Sequence, residues 1–198
     1  MLNINEMQSL AEKCEGWCTS EKMKELALLV YENQLMVSVE IGVFNGRSLI
    51  PQAYAYKQLN RGMVYGIDPW DQQAAMQIGH DKINQDTLKI DFNGMYEDLK
   101  RKLQEFQLSS YVALIRVKAE DVEDRFSKES IDFLHIDGNH GEEAVLNDIK
   151  LYFPKVKKGG FICFDDTTWT TTPKAIEYAK ERCTSVYKEF FNNIILVK

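Results

Sequence analysis

The chain has 198 residues, of which 44% are hydrophobic and 27% are charged, as in an ordinary globular domain in water. Its net charge of −6 and isoelectric point of about 5.2 argue against nucleic acid or an anionic membrane as a partner, because clustered Lys and Arg side chains bind both. No apolar run approaches the roughly 20 residues of a membrane span, and the amino terminus lacks a signal-peptide pattern. We therefore expect a cytoplasmic protein with four free cysteines.

Strands and helices are predicted to alternate along most of the chain. Two helices come first, at residues 6–17 and 20–34, so that residues 1–34 are expected to pack on or cap the domain at 35–198. Strands are predicted at residues 37–43, 63–67, 111–117, 131–136, 161–164, 186–190 and 193–197. Further helices are predicted at residues 48–60, 93–107, 142–153 and 173–183, whereas residues 71–92 carry no clear pattern. This alternation indicates an α/β protein with a mostly parallel sheet and helices on both faces.

The segment at residues 37–48, V-S-V-E-I-G-V-F-N-G-R-S, is the most informative part of the sequence. β-Branched residues lead into Gly42 and Gly46, and Ser48 then opens a helical pattern. A strand, a glycine turn and a helix in this order can bind a carboxylate or phosphate at the amino end of the helix. The spacing E-x-G-x-x-x-G-x-S differs from that of dehydrogenases and of P-loops, which weakens the dinucleotide and triphosphate interpretations. The alternative is a strand-turn-helix unit that binds no ligand.

Acidic residues or glycine turns follow four of the predicted strands. They are the turn that begins near Glu40, then Asp68, Asp137, and the pair Asp165 and Asp166. Because the carboxyl ends of parallel strands meet at one edge of a sheet, where ligands bind in such folds, we expect these groups to converge. Helix capping is the alternative for any one acid, and it explains four together less well.

The residue types at this edge suggest a chemistry. An acid at the position of Asp68 accepts hydrogen bonds from ribose hydroxyls, which suits a nucleoside cofactor. Asp137, Asp165 and Asp166 would repel one another without a cation, and oxygen ligands suit Mg²⁺, with Ca²⁺ or Mn²⁺ as alternatives. His140 lies in the loop after Asp137 and is a candidate general base, since imidazole titrates near neutral pH. The competing interpretations are caps and salt bridges for the acids and a solvated loop residue for His140.

Four segments in order carry a resemblance to a known family: V-E-I-G-V-F-N-G-R-S, V-Y-G-I-D-P-W, D-F-L-H-I-D-G-N-H and G-G-F-I-C-F-D-D. Residues 35–198 resemble the class I S-adenosylmethionine-dependent O-methyltransferases of the small, metal-dependent type, which include catechol O-methyltransferase and the O-methyltransferases of macrolide-sugar biosynthesis. The resemblance implies a Rossmann-like class I methyltransferase fold with a mostly parallel seven-stranded sheet and an antiparallel C-terminal strand. It also implies S-adenosyl-L-methionine and Mg²⁺, or another divalent cation, as cofactors and a small molecule as acceptor.

The resemblance assigns roles to individual residues. The residues that would bind the cofactor are Glu40, Gly42, Phe44, Gly46, Ser48, Asp68, Ala119, Glu120 and Asp137. Within this set, Ser48 would donate to the cofactor carboxylate, and Ala119 and Glu120 would contact the adenine, although V-K-A-E-D departs there from the family's usual glycine and hydroxyl residue. The metal ligands would be Asp137, Asp165 and Asp166. His140 would be the general base, with Asp137 as the second catalytic candidate.

The implied reaction transfers a methyl group to a hydroxyl group of a sugar, a phenol or a natural product. Mg²⁺ would lower the pKa of the hydroxyl, His140 would remove the proton, and the oxygen would attack the sulfonium methyl group. Two other functions stay open: a cofactor-binding module without transfer activity, and a metal-dependent hydrolase that uses the three aspartates. The acceptor, any association into homo-oligomers, and the role of residues 70–86 and 167–172 as lids also stay open.

Overall fold

The computed structural model describes residues 2–77 and 81–198. Within these ranges the helices are α1 (Ile4–Ala11), α2 (Ser20–Glu32), α3 (Leu49–Leu59), α4 (Asp81–Thr87), α5 (Phe92–Glu105), α6 (Glu142–Tyr152) and α7 (Pro173–Lys180). The strands are β1 (Val37–Ile41), β2 (Met63–Ile67), β3 (Val112–Ile115), β4 (Ile131–Ile136), β5 (Val156–Phe164), β6 (Ser185–Phe190) and β7 (Asn193–Val197). His80 and part of the predicted lid at 70–86 lie outside the described residues. Across the two described ranges, no helix has the length and apolar character that crossing a membrane requires.

The strands form one sheet in the order β3-β2-β1-β4-β5-β7-β6. Each neighbouring pair from β3 to β5 is parallel, and β7 is antiparallel to both β5 and β6. This arrangement confirms the predicted Rossmann-like α/β fold with a mostly parallel seven-stranded sheet and an antiparallel C-terminal strand. The strand order reverses between β1 and β4, and ligands bind at this position in doubly wound sheets.

The alternation of side chains along the strands explains why the sheet is central. In β5, Phe161 and Cys163 belong to one buried hydrophobic cluster, while Ile162 and Phe164 belong to another, as the two-residue period of a strand requires. Helices α1, α2 and α3 pack together and contribute to the first cluster. The amino-terminal helices are thereby part of the core on one face, and they bring their connecting loop to the edge of the sheet.

Two predicted boundaries differ from the structure near glycines. The predicted first strand, 37–43, ends at Ile41, because Gly42 adopts a positive φ of 84° and turns the chain. The predicted fifth strand, 161–164, begins at Val156, so Gly159 and Gly160 lie inside β5 rather than before it. The register of β5 against β4 shifts there, and Gly159, with φ of 76°, accommodates the resulting bulge.

Two helices also differ from the prediction. The first helix, predicted at 6–17, ends at Ala11, and residues 12–19 form a loop. Helix α4 occupies part of the segment 71–92, where the sequence shows no clear pattern. The other predicted elements agree with the structure to within three residues at each end.

Candidate functional site

The predicted acids converge on one edge of the sheet. The backbone N–H groups of Asp68, Asp137 and Asp165 donate to the neighbouring strands at 3.2, 2.8 and 3.1 Å. These bonds extend the strand pairing by one residue beyond β2, β4 and β5. The three side chains therefore leave the sheet at the same edge, as the parallel topology predicts.

A cavity of about 1170 Å³ opens at this edge. The residues named from the sequence that line it are Gly42, Phe44, Ser48, Asp68, Ala119, Glu120, Asp137, His140, Asp165 and Asp166. Glu40 and Gly46 do not line it. Glu40 is fully buried, and a Cβ on Gly46 would lie 2.6 Å from Leu99, so these two residues support the turn from behind.

Gly42 follows β1 and packs tightly against the backbone that follows β4. A Cβ at this position would lie 2.1 Å from the carbonyl oxygen of Asp137 and 2.6 Å from the Cα of Gly138. Both obstacles are backbone atoms, which cannot rotate away as a side chain can. The positive φ of Gly42 adds a second reason for glycine, because other L-residues adopt it at a cost.

Asp68 ties the glycine turn to the end of β2. Its Oδ2 accepts hydrogen bonds from the backbone N–H groups of Val43 and Phe44 at 2.9 and 3.0 Å, and its Oδ1 accepts from Trp70 at 2.7 Å. Burial raises the pKa of Asp68 above its ordinary value, and these three hydrogen bonds oppose that rise. Asp68 thus has a structural role in the turn, in addition to the predicted contact with a ribose.

Ser48 and Glu40 form a buried network beneath the turn. Ser48 Oγ donates to Glu40 Oε1 at 2.8 Å, and Gln52 donates to Glu40 Oε2. The Nδ1 atom of His135 lies 3.0 Å from the same Oε2. The hydroxyl of Ser48 is therefore directed at Glu40 rather than at the carboxylate of a cofactor, which is the partner that the resemblance implies.

Lys22 of α2 reaches this edge from the amino-terminal helices. Its ammonium nitrogen is 2.9 Å from Asp137 Oδ2 and also donates to Asp165 Oδ2 in a short ion pair, and the residue is only 3% exposed. Burial alone would lower the pKa of Lys22, but the charges of Asp137 and Asp165 raise it well above its ordinary value. Lys22 is therefore charged at neutral pH.

The pKa values of the two acids that hold Lys22 are shifted in opposite directions. Burial raises the pKa of Asp137 to about 7, although the charge of Lys22 opposes this. Burial also acts to raise the pKa of Asp165, but the charge and hydrogen bond of Lys22 outweigh it and lower the pKa below its ordinary value. Asp165 is the carboxylate that Lys22 stabilises most, and Asp137 retains its proton to higher pH.

Asp166 faces away from Lys22 and contacts His140. Its Oδ2 makes a short contact with His140 Nε2, and its Oδ1 accepts from Asn192 Nδ2 at 2.7 Å. The Nδ1 atom of His140 lies 2.6 Å from the carbonyl oxygen of Gly138. Both ring nitrogens therefore face acceptors. Burial acts to lower the pKa of His140, but the hydrogen bond to Asp166, the charges of Asp137 and Asp166, and the Gly138 carbonyl together raise it.

Aromatic side chains and two loops complete the walls of the cavity. Trp169 lies with its ring 4.6 Å from that of His140, whereas Trp70 is buried and donates to the Phe44 carbonyl at 2.8 Å. The segment at 73–77 is attached to the loop after β4, because Asn139 donates to the carbonyls of residues 74 and 76. Trp17, which was not identified from the sequence, is 87% exposed, and the centre of its ring lies 5.5 Å from that of Phe44 in a tilted arrangement.

Asp148 of α6 also lines the cavity and was not identified from the sequence. Burial, with a smaller contribution from the charge of Glu120, raises its pKa to about 7. In the unfolded chain an aspartate loses its proton near pH 4. Between about pH 4 and pH 7 the folded state therefore binds more protons than the unfolded state, and the free energy of unfolding decreases as the pH rises.

We expect Asp148→Asn to stabilise the protein above pH 7 and to change its stability little near pH 4. Asparagine carries no charge to bury, so the variant avoids the loss that the wild type undergoes as the pH rises. Melting temperatures of the two proteins, measured at about pH 4 and about pH 8, test this expectation. A difference between the two proteins that is the same at both pH values would contradict it.

The sheet order, the cavity where that order reverses, and an acid at the end of β2 define the class of the protein: it has a Rossmann-like α/β fold with a ligand-sized cavity at the carboxyl edge of the sheet. A sequence model of a family described as a methyltransferase domain matches residues 39–167, which is more than half of the chain. The chain belongs to this methyltransferase-domain family.

Known proteins extend the comparison. An uncharacterised protein of Acanthamoeba polyphaga mimivirus is 31% identical over 136 residues, covering 69% of this chain and 53% of that protein, so the chain spans about half the length of this curated relative. The O-methyltransferase NovP has a similar structure, with a TM-score of 0.68 and 18% identity over 92% of this chain and 83% of its own. TomG from Streptomyces achromogenes, an O-methyltransferase solved in complex with SAM, has a TM-score of 0.63 and 14% identity over 98% of this chain and 89% of its own. At identities below 25%, these two structural matches show a shared fold and no more.

Proposed function

We propose that the protein transfers a methyl group from S-adenosylmethionine to a hydroxyl group of a small molecule. The main support is that seven of the nine predicted cofactor residues and the pair of His140 and Asp166 border one cavity of about 1170 Å³. Pockets for one drug-sized ligand usually measure about 300–1,000 Å³. This cavity therefore has room for a nucleoside cofactor and a small acceptor beside it.

Bound S-adenosylmethionine supplies an electrophilic methyl group on a sulfonium ion. In our proposal Asp68 holds the ribose, the segment at Ala119 and Glu120 contacts the adenine, and the turn at Gly42 and Phe44 holds the methionine end. The acidic edge of the sheet suits this cationic cofactor, because a buried positive charge needs nearby negative charge.

His140 acts on the acceptor in this proposal. Its neutral imidazole removes the proton of the hydroxyl group, and the acceptor oxygen bonds to the methyl carbon as the sulfur–carbon bond breaks. Asp166 orients the ring, and its contact with Nε2 must be exchanged for the acceptor hydroxyl when that group is bound. Trp169 packs beside the ring and offers an aromatic surface to the acceptor.

The predicted Mg²⁺ ion fits this edge poorly. Asp137 and Asp165 direct their Oδ2 atoms at the ammonium group of Lys22, and Asp166 contacts His140 and Asn192 instead. Among the described residues, the possible ligand atoms form two separate sets, His135, Asp137 and Asp165 in one and Asp137, His140 and Asp166 in the other, and neither set contains all three carboxylates. No step of the proposed reaction uses a metal ion. The metal-dependent hydrolase loses support for the same reason, since it requires these three acids around one ion.

The direct test of this function is incubation with S-adenosylmethionine labelled in the methyl group and a panel of sugars, phenols and other hydroxylated compounds. Label in an ether product supports the proposal. Label on a nitrogen or carbon atom of the product would mean that the acceptor atom is not oxygen. Binding of the cofactor without any transfer across the panel would favour the cofactor-binding module.

We expect Asp68→Asn to weaken binding of S-adenosylhomocysteine by about tenfold or more, because a hydrogen bond to a charged group contributes about 1.5–3 kcal/mol. In the variant the ribose loses its charged acceptor. The side-chain NH2 group of the asparagine also faces backbone N–H groups, which are donors and cannot pair with it. Calorimetric titration measures the change, with Asp86→Asn as the control, since Asp86 is an exposed acid outside the cavity. Equal affinities for the two variants would remove Asp68 from the cofactor site.

A further inference from the structure

We propose that Lys22 is the resident cation of this site, with its ammonium group in the place between Asp137 and Asp165 that the resemblance assigns to a divalent ion. The reaction then needs no divalent metal. This consequence for the reaction rests on the proposed function, whereas the replacement of the ion by Lys22 does not.

The contacts of Lys22 support this role. An ammonium group has three N–H donors, and two of them are directed at carboxylates that leave neighbouring strands of the sheet. The residue is 3% exposed, although a lysine is rarely so buried unless it is paired. The helix that carries it is anchored in the core by Met23 and Leu26, which fixes the direction in which the Lys22 side chain leaves the helix.

The charges of the site agree with a monovalent cation. Two carboxylates and one ammonium carry at most one net negative charge. That balance suits a site beside a sulfonium ion, which is itself positive. A divalent ion added to Lys22 would reverse the sign and repel the sulfonium, so the ammonium and a metal ion exclude each other.

His135 indicates what the site would bind without Lys22. Its Nδ1 atom faces Glu40, and its Nε2 atom is buried, has no hydrogen-bond partner among the described residues, and lies 3.8 Å from Asp137 Oδ2. His135, Asp137 and Asp165 have ligand atoms within 4.8 Å of one another. One imidazole nitrogen and two carboxylates suit Mn²⁺ or a similar ion. Shortening Lys22 should therefore turn the resident-cation site into a metal site.

The test is Mn²⁺ binding, measured by the loss of the electron paramagnetic resonance signal of the free ion. We expect Lys22→Ala to bind Mn²⁺ at least about tenfold more tightly than the wild type. Lys24→Ala is the matched control, because Lys24 is an exposed lysine on the same helix, and it should behave like the wild type. Asp165→Asn added to Lys22→Ala should abolish the gain.

Two outcomes of the Mn²⁺ measurement would overturn the inference. Tight Mn²⁺ binding by the wild type that Asp165→Asn removes would show that the metal displaces Lys22, and would overturn the inference; so would a folded Lys22→Ala variant with no gain. If Lys22→Ala does not fold, Lys22→Gln, which is neutral and closer in length, takes its place. Calorimetry with S-adenosylhomocysteine on the same wild-type sample separates the two proposals. If S-adenosylhomocysteine does not bind, the proposed function is contradicted, while the Mn²⁺ result remains valid.

Discussion

Gly42→Ala should abolish cofactor binding and lower the melting temperature substantially. The added Cβ would lie 2.1 Å from a backbone oxygen of Asp137, so β1 and β4 would have to separate at the edge where the cavity opens. Overpacking costs about 1–3 kcal/mol, and a positive φ adds about 1–2 kcal/mol for an L-residue. At roughly 2–4 °C for each kcal/mol in a chain of this size, the melting temperature should fall by about 10 °C.

Gly159→Ala is the matched control for this substitution. Gly159 also has a positive φ, 76°, but a Cβ there would meet no atom within 4 Å. The control therefore carries the cost of the backbone conformation without the clash. We expect it to lose only a few degrees of melting temperature and to bind S-adenosylhomocysteine normally. Equal losses in the two variants would mean that the close approach of the two strands does not explain the need for glycine.

His140→Ala should lower kcat by about 10²-fold or more, which is the usual contribution of a positioned general base. Affinity for S-adenosylhomocysteine should change little, because His140 acts on the acceptor. The effect should be smaller for an acidic phenol, which loses its proton readily without a base. Steady-state rates on an aliphatic alcohol and on a phenol measure both parts of this prediction.

The pH dependence of the rate separates the roles of His140 and Asp166. Asp166 raises the pKa of His140, and the base must be neutral to accept a proton, so the wild-type rate should rise with pH through that pKa. Asp166→Asn should move the inflection to lower pH. Near-native turnover of His140→Ala on the alcohol would assign proton removal to another group, with Asp137 as the next candidate.

Most of the fold follows from patterns that are local in the sequence. The apolar residues at 131–136 and 63–67 predict strands whose bounds match the structure, and the alternation of elements predicts the parallel sheet. The convergence of Asp68, Asp137 and Asp165 then follows from topology alone. The bulge at Gly159 could not be predicted, since a glycine pair is equally typical of a turn before a strand and of an irregularity inside it.

The partners of the acids are the part of the site that the sequence could not provide. Lys22 is 115 residues from Asp137 and 143 from Asp165 along the chain, so no local pattern connects them. One feature does point to it: Lys22 shares the spacing i, i+4, i+7 with Leu26 and Leu29, which places a charge on the buried face of α2. A lysine at such a position predicts a buried anionic partner.

The central claim, that this edge of the sheet binds the sulfur nucleoside of a methyltransferase, is tested most directly by calorimetric titration of the wild-type protein with S-adenosylhomocysteine, with NAD as the comparison. We predict saturable binding of S-adenosylhomocysteine at one site per chain and no binding of NAD. Binding of NAD without binding of S-adenosylhomocysteine would contradict the claim.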